Sequence, residues 1–94
     1  MSQHFIDAIA PEHTVMVGFD RPLKNFFGTV FGAGGVHGEV IHWVPAASTV
    51  DELVAEMAPF AAINEQLQET LNDEIRNAAT HPMTKRVDHR THPR

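Results

Sequence analysis

Apolar and polar residues alternate along much of the first half of the chain, with the period of two that marks a β-strand with one better-buried face. Strand-like composition falls into three segments, at about residues 13–19, 25–31 and 39–44. A turn-forming segment, Asp20-Arg21-Pro22-Leu23, separates the first two, and residues 32–38 hold four glycines before the third. Because short connections join neighbouring antiparallel strands, this pattern predicts a three-stranded antiparallel meander.

From Ser48 onward the apolar residues recur every three or four positions, which indicates helices. Thr49 and Glu52 have the spacing of a capping box, in which each side chain bonds a backbone N–H at the helix start. A second helix is predicted from about residue 59 or 60 to residue 78 or 79, since the proline at 59 suits a first helical turn. The apolar stripes are Val50, Leu53, Val54 and Met57 in the first helix, and Phe60, Ile63, Leu67, Leu71 and Ile75 in the second.

These elements predict an α+β fold, a single domain of residues 1–80 in which both helices pack on one face of the meander. Residues 1–12 are expected to form a loosely attached arm, because Pro11 limits any helix there to under about three turns. Residues 81–94 contain two prolines, three histidines and few apolar side chains. We therefore expect a disordered, basic C-terminal tail.

The composition fits one small globular domain, since 43% of the 94 residues are hydrophobic. No apolar run approaches the length of about 18 residues that a transmembrane helix needs, and the N-terminus does not resemble a signal peptide. The chain has no cysteine, which removes disulfides, thiolate metal sites and cysteine nucleophiles. We expect a cytoplasmic protein that makes no membrane contact, because a cysteine-free chain fits a reducing compartment.

Charge is distributed unevenly along the chain. Residues 1–84 carry three basic and eleven acidic side chains, whereas residues 85–94 carry four basic and one acidic. An acidic body repels the phosphate backbone of nucleic acids, so nucleic-acid binding by the folded part is not expected.

Three patterns suggest ligand sites but lack the necessary context. Residues 32–38 include a GxG spacing, yet a strand follows it, whereas a phosphate-binding loop opens a helix. His37 and His42 lie five positions apart and would point to opposite faces of one strand. His89 and His92 have a spacing that binds a metal only loosely without a supporting shell. The sequence predicts no metal site and no cofactor.

A catalytic site is equally hard to assemble from these residues, and none is predicted. His42 with Glu39 is an imaginable acid–base pair, although a histidine beside Trp43 on a strand is more often a half-buried packing residue. The alternative function is therefore a small-molecule or metal-binding protein, including an enzyme that uses His42 and Glu39.

Surplus apolar surface gives the leading hypothesis about function. Phe26 and Phe27 are adjacent on one strand and must face opposite ways, and two short helices can cover only one face of a sheet. Either the N-terminal arm covers the second face, or that face is a partner surface, a self-association surface or a ligand groove. We expect a non-enzymatic protein-interaction module, a homodimer or an adaptor or inhibitor of another protein. Its predicted partner-binding residues are Arg21, Phe26, Phe27, Trp43, Glu65, Glu69 and Asp73.

Overall fold

The computed structural model describes residues 2–77 and 85–91 and shows an α+β fold. Five strands form one mixed sheet in the spatial order β4-β3-β2-β1-β5, and a short 3₁₀ turn and two helices complete the described part of the chain. The elements are β1 (Ser2–Ile6), β2 (Thr14–Asp20), β3 (Asn25–Phe31), the 3₁₀ turn (Gly35–His37), β4 (Val40–Ala47), α1 (Val50–Met57), α2 (Glu65–Arg76) and β5 (Lys85–Asp88).

The predicted meander is present as β2, β3 and β4, which are consecutive and antiparallel. Val17 pairs with Gly28 across the first junction, and Gly28 pairs with Val44 across the second. The register shifts between Val30 and Phe31, where β4 carries an extra residue at Ile41. The meander is therefore the centre of a wider sheet rather than the whole of it.

The N-terminal segment is a strand and not the loosely attached arm that was expected. β1 pairs antiparallel with β2, with His4 opposite Val17 and Ile6 opposite Val15. Ser2, His4, Phe5 and Ile6 are all buried. The expectation failed because the stretch is only five residues long and has a histidine at a fully buried position, which hides the strand pattern.

The C-terminal segment also departs from the expectation of a disordered tail. β5 lies parallel to β1, with Val87 opposite His4. Beyond the strand, the His89 N–H donates to the Phe5 carbonyl at 2.8 Å. The prediction of disorder is thus wrong for residues 85–91, while residues 81–84 and 92–94 lie outside the described residues.

Both helices begin at side-chain caps. At α1, Thr49 Oγ1 accepts the Glu52 N–H, and Glu52 Oε2 accepts the Ser48 N–H, one residue before the predicted partner. α2 begins later than predicted, because Asn64 Oδ1 caps it by accepting the Leu67 N–H at 2.8 Å. It also ends earlier than the predicted residue 78 or 79, at Arg76, where Asn77 is the C-cap.

The helices cover one face of the sheet, as predicted. α1 packs against β3 and β4, and α2 packs against β2. Their buried side chains meet those of the strands in one apolar core, in which Val15, Val17, Val30, Leu53 and Leu71 have no exposed surface. The second face of the sheet carries no helix among the described residues. One candidate site lies on this uncovered face, and the other lies where β1 meets α2.

Candidate functional site

The face of the sheet opposite the helices, here called the open face, carries a row of side chains across four strands. Cross-strand pairing aligns Trp43 with Thr29, Thr29 with Met16, and Met16 with Phe5. Directly paired residues point to the same face, so these four side chains lie side by side. The adjacent row, which includes His4, Val17 and Val44, faces the helices.

Apolar exposure on the open face is concentrated at its β4 edge. Trp43 is 65% exposed, Val40 52% and Ile41 41%. Phe5 and Phe31, on the same face, are buried, at 7% and 9% exposed. One strand edge therefore presents a large aromatic ring and two β-branched side chains to solvent.

Phe27 covers the centre of the open face, where β2 has a glycine. A Cβ at Gly18 would lie 2.7 Å from the Phe27 ring and 2.0 Å from the Ser2 carbonyl oxygen. The missing side chain thus lets the ring lie over the backbone of β2 and lets β1 approach closely. Phe27 is half-buried in this position, whereas Phe26 points to the helices and is 1% exposed.

The opposite edge of the open face is cationic. The guanidinium groups of Arg86 and Arg90 lie 5.9 Å and 5.4 Å from the centre of the Phe5 ring. Arg86 Nε donates to Gln3 Oε1 at 2.9 Å, and Arg90 forms two side-chain hydrogen bonds with the Asp88 carboxylate, at 2.9 Å and 2.6 Å. These bonds from Arg90 hold the pKa of Asp88 below its usual value. The open face is therefore apolar at β4 and cationic at β5.

The predicted partner-binding residues do not form one surface. Phe27 and Trp43 lie on the open face, Arg21 is half-buried in the β2–β3 turn, and the Phe26 ring lies in the core and has almost no exposed surface. The three acidic residues of the set, Glu65, Glu69 and Asp73, lie exposed on α2, which belongs to the other layer of the fold. Asp73 bonds Arg76 there.

No hydrogen bond or ion pair joins His42 and Glu39 within residues 2–77 and 85–91. The His42 ring points to the helix side and stacks on Phe60, with ring centres 4.6 Å apart and planes 23° apart. Its Nε2 atom is buried and has no hydrogen-bond partner among the described residues. Glu39 is an exposed residue just before β4. This arrangement favours a packing role for His42.

A second site, which the sequence did not predict, is centred on His4. This side chain has no exposed surface, and each of its ring nitrogens faces a polar partner. His4 Nε2 lies 2.9 Å from Glu74 Oε2, and His4 Nδ1 lies 2.8 Å from His89 Nε2. The planes of the two imidazole rings are 25° apart and their centres 5.1 Å apart, so the rings meet edge to edge along this contact.

Ser2 completes this cluster, here called the histidine network: Ser2, His4, Glu74 and His89. Ser2 Oγ donates to Glu74 Oε1 at 2.6 Å and accepts the Phe19 N–H at 3.0 Å. Its members come from β1, α2 and the residue after β5, so 70 and 85 positions separate His4 from its two partners. No local spacing could have revealed the cluster, because its geometry exists only once β5 lies beside β1.

Neither site is a ready metal centre or a membrane segment as far as the structure describes the chain. No group of three or more histidine or acidic side chains is arranged to hold a metal ion within the described ranges. The His89–His92 pair cannot be evaluated, since residue 92 lies outside them. The helices described here are also too short and too polar to cross a bilayer.

Comparison with protein-family models, with curated proteins and with solved structures found no match for this chain.

Proposed function

We propose that this protein is a small, non-enzymatic interaction module that forms a homodimer through the open face of its sheet. The observation that carries the proposal is the exposure of Trp43, 65% of whose surface is open to solvent on β4. Tryptophan side chains are concentrated at the centres of protein interfaces, because they bury a large area at a small cost in conformational entropy.

The open face is complementary to itself, which favours a second copy as the partner. A two-fold axis near the Met16–Thr29 pair would set Trp43 of one subunit opposite Phe5 of the other. Arg86 and Arg90 lie over the buried Phe5 ring, so the tryptophan ring would meet their two guanidinium groups. Cation–π contacts of this kind are most favourable with tryptophan.

The size of the face suits a modest interface. Five strands spaced about 4.8 Å apart, with central strands about 23 Å long, make a face of roughly 440 Å². A stable interface needs about 800 Å² per partner. We therefore expect a reversible dimer rather than an obligate one.

The acidic side chains of α2 would remain outside such a dimer, because α2 covers the opposite face of the sheet. Glu65 and Glu69 are exposed there. The dimer would then present two acidic surfaces, one per subunit, to a further basic protein, which is how an adaptor or inhibitor role would arise. A cytoplasmic location remains part of the proposal, and cell fractionation tests it.

Sedimentation equilibrium over a range of concentrations tests the dimer. The wild-type protein is expected to sediment with a mass that rises from monomer to dimer with concentration, and Trp43→Asp is expected to remain monomeric. Leu23→Asp is the matched control, since Leu23 is 64% exposed but lies in the β2–β3 turn, away from the open face. A wild-type monomer at all concentrations, or equal weakening by both substitutions, would overturn the proposal.

A further inference from the structure

The contact between His4 and His89 is made along one line. His4 Nδ1 lies 2.8 Å from His89 Nε2, and the ring centres lie 5.1 Å apart with their planes 25° apart. Two imidazoles have this centre-to-centre distance when both nitrogens lie close to the line that joins the ring centres. The two nitrogens therefore point at each other and share a single hydrogen.

Glu74 determines which nitrogen of His4 carries a hydrogen of its own. An ionised Glu74 carboxylate can only accept, so the hydrogen between Glu74 Oε2 and His4 lies on Nε2, and a neutral His4 presents the lone pair of Nδ1 to His89. Ser2 Oγ donates to the second carboxylate oxygen at 2.6 Å and so fixes the carboxylate in turn. A histidine that donates one N–H to a carboxylate and offers its other nitrogen outward is the arrangement found in metal sites.

We propose that His4 Nδ1 and His89 Nε2 form a two-coordinate site for a soft monovalent cation, copper(I), bound in place of the hydrogen that they share. Two N–metal bonds in line, of about 2 Å each, require the rings to move apart by about 1 Å. His4 is fully buried and bonded to Glu74, whereas His89 is exposed and comes after the end of β5. The movement therefore falls on His89, whose exposed side also gives the ion its path from solvent.

The number of ligands selects the class of metal. Zinc has four protein ligands in structural sites and three in catalytic sites. Within residues 2–77 and 85–91, no group of three histidine or acidic side chains is arranged to hold an ion. Calcium and magnesium take six or more oxygen ligands. Copper is a metal that imidazole binds well, and its monovalent form accepts two nitrogen ligands in line.

The surroundings of the two histidines compensate for the positive charge of the ion. The Glu74 carboxylate lies behind His4, 2.9 Å from its Nε2, and buried charges are tolerated when they are paired. Arg90, which follows His89, is bonded to the Asp88 carboxylate. Residues 1–84 carry eleven acidic and three basic side chains, so the body of the protein attracts cations.

A bound ion would tie the C-terminal strand to the rest of the sheet. His4 belongs to β1, and His89 follows β5, which lies parallel to β1. An ion that binds only the folded protein stabilises it by mass action. This inference goes beyond the proposed dimer and does not depend on it, because the exposed apolar edge of the open face contributes no ligand.

Silver(I), which shares the preference of copper(I) for two ligands in line and is stable in air, is the probe. The full-length protein, labelled with ¹⁵N, is titrated with silver nitrate, and the side-chain ¹⁵N resonances of its histidines are followed by NMR. We expect His4 Nδ1 and His89 Nε2 to shift together and to saturate at one silver ion per chain. His37, which is exposed and outside the network, is the internal reference and should not shift before that point.

Glu74→Gln tests the support that the carboxylate gives to the site. Glutamine keeps an acceptor for the His4 Nε2–H but removes the charge, and the affinity for silver is expected to fall about 10–100-fold. Glu56→Gln, which removes an exposed glutamate of α1, is the matched control and is expected to leave the affinity unchanged.

Two results would overturn the inference. The first is a wild-type protein in which silver shifts His37, or His89 alone, while His4 Nδ1 stays unchanged, because the ion would then bind only exposed side chains. This result needs no variant and so holds even if Glu74→Gln fails to fold. The second is a folded Glu74→Gln protein that binds silver as tightly as the wild type.

Discussion

The two faces of the sheet are built from similar residues but have different surroundings. On the helix side, Val15, Val17 and Val30 have no exposed surface, because α1 and α2 lie over them. On the open face, Ile41 and Trp43 are 41% and 65% exposed. Residue type alone therefore does not distinguish the faces: the helices cover one of them, and the large exposed apolar side chains of the other lie at its β4 edge. The open face is an apolar surface for which the described residues supply only partial cover.

The largest loss of stability is expected for a substitution on the covered face, at a position where a helix packs against the sheet. Leu53→Ala removes a side chain of α1 that has no exposed surface, and we expect a loss of about 2–5 kcal/mol in unfolding free energy. Ile41→Ala on the open face should cost the monomer only about 0.5 kcal/mol. Urea denaturation at low protein concentration measures both. Equal losses would contradict the distinction between the faces.

A smaller effect is expected where the open face is tightly packed. Gly18→Ala would place a Cβ 2.0 Å from the Ser2 carbonyl oxygen, so β1 must shift, and we expect a loss of about 1–3 kcal/mol. Gly32→Ala is the matched control, since its Cβ would meet nothing closer than 3.6 Å. The same denaturation experiment compares the two variants. A neutral Gly18→Ala would show that β1 is held less closely than the structure indicates.

The next effect in size is the loss of stability expected when β5 is removed. A chain that ends at Asn77 loses the pairing of β5 with β1 and leaves His4 Nδ1 without His89. We expect the unfolding free energy to fall by about 1–3 kcal/mol, the cost of an unsatisfied buried polar group. Thermal melting followed by circular dichroism measures the change. An unchanged melting temperature would restore the original expectation of a tail that plays no part in the fold.

Elements held by contacts between residues close in sequence were predicted. Elements held by contacts between residues far apart in sequence were not. The meander and the α1 cap depend on neighbours a few positions apart, such as Thr49 and Glu52, and the sequence displays these signals directly. β5 is held by parallel pairing with β1, some 80 positions away, and its residues carry no strand pattern. The histidine network depends on that pairing, so the sequence could not reveal it. Phe26 was assigned to a partner surface because alternation shows that the two phenylalanines face apart but not which of them meets the helices.

The smallest effect on stability is expected from the Asp88–Arg90 ion pair at the cationic edge of the open face. Because the hydrogen bonds from Arg90 lower the pKa of Asp88, the ion pair stabilises the fold above the ordinary pKa of aspartate. That stabilisation is lost as the pH falls through the lowered value. The pair is partly exposed, so the gain is small and screened by salt. Comparing wild type with Asp88→Asn by denaturation should show a slight difference near neutral pH and none in strong acid. A difference that grows toward acid would contradict this assignment.

Trp43 provides the most direct test of the proposed dimer, because it is the only tryptophan in the chain. Its fluorescence, and the quenching of that fluorescence by acrylamide, report the environment of the open face without any label. We predict that quenching is efficient in dilute solution and declines with concentration, in step with the dimer fraction from sedimentation. Leu23→Asp should follow the same curve. A dimer that forms while Trp43 remains fully open to acrylamide would contradict the account, because the subunits would then be meeting through another surface.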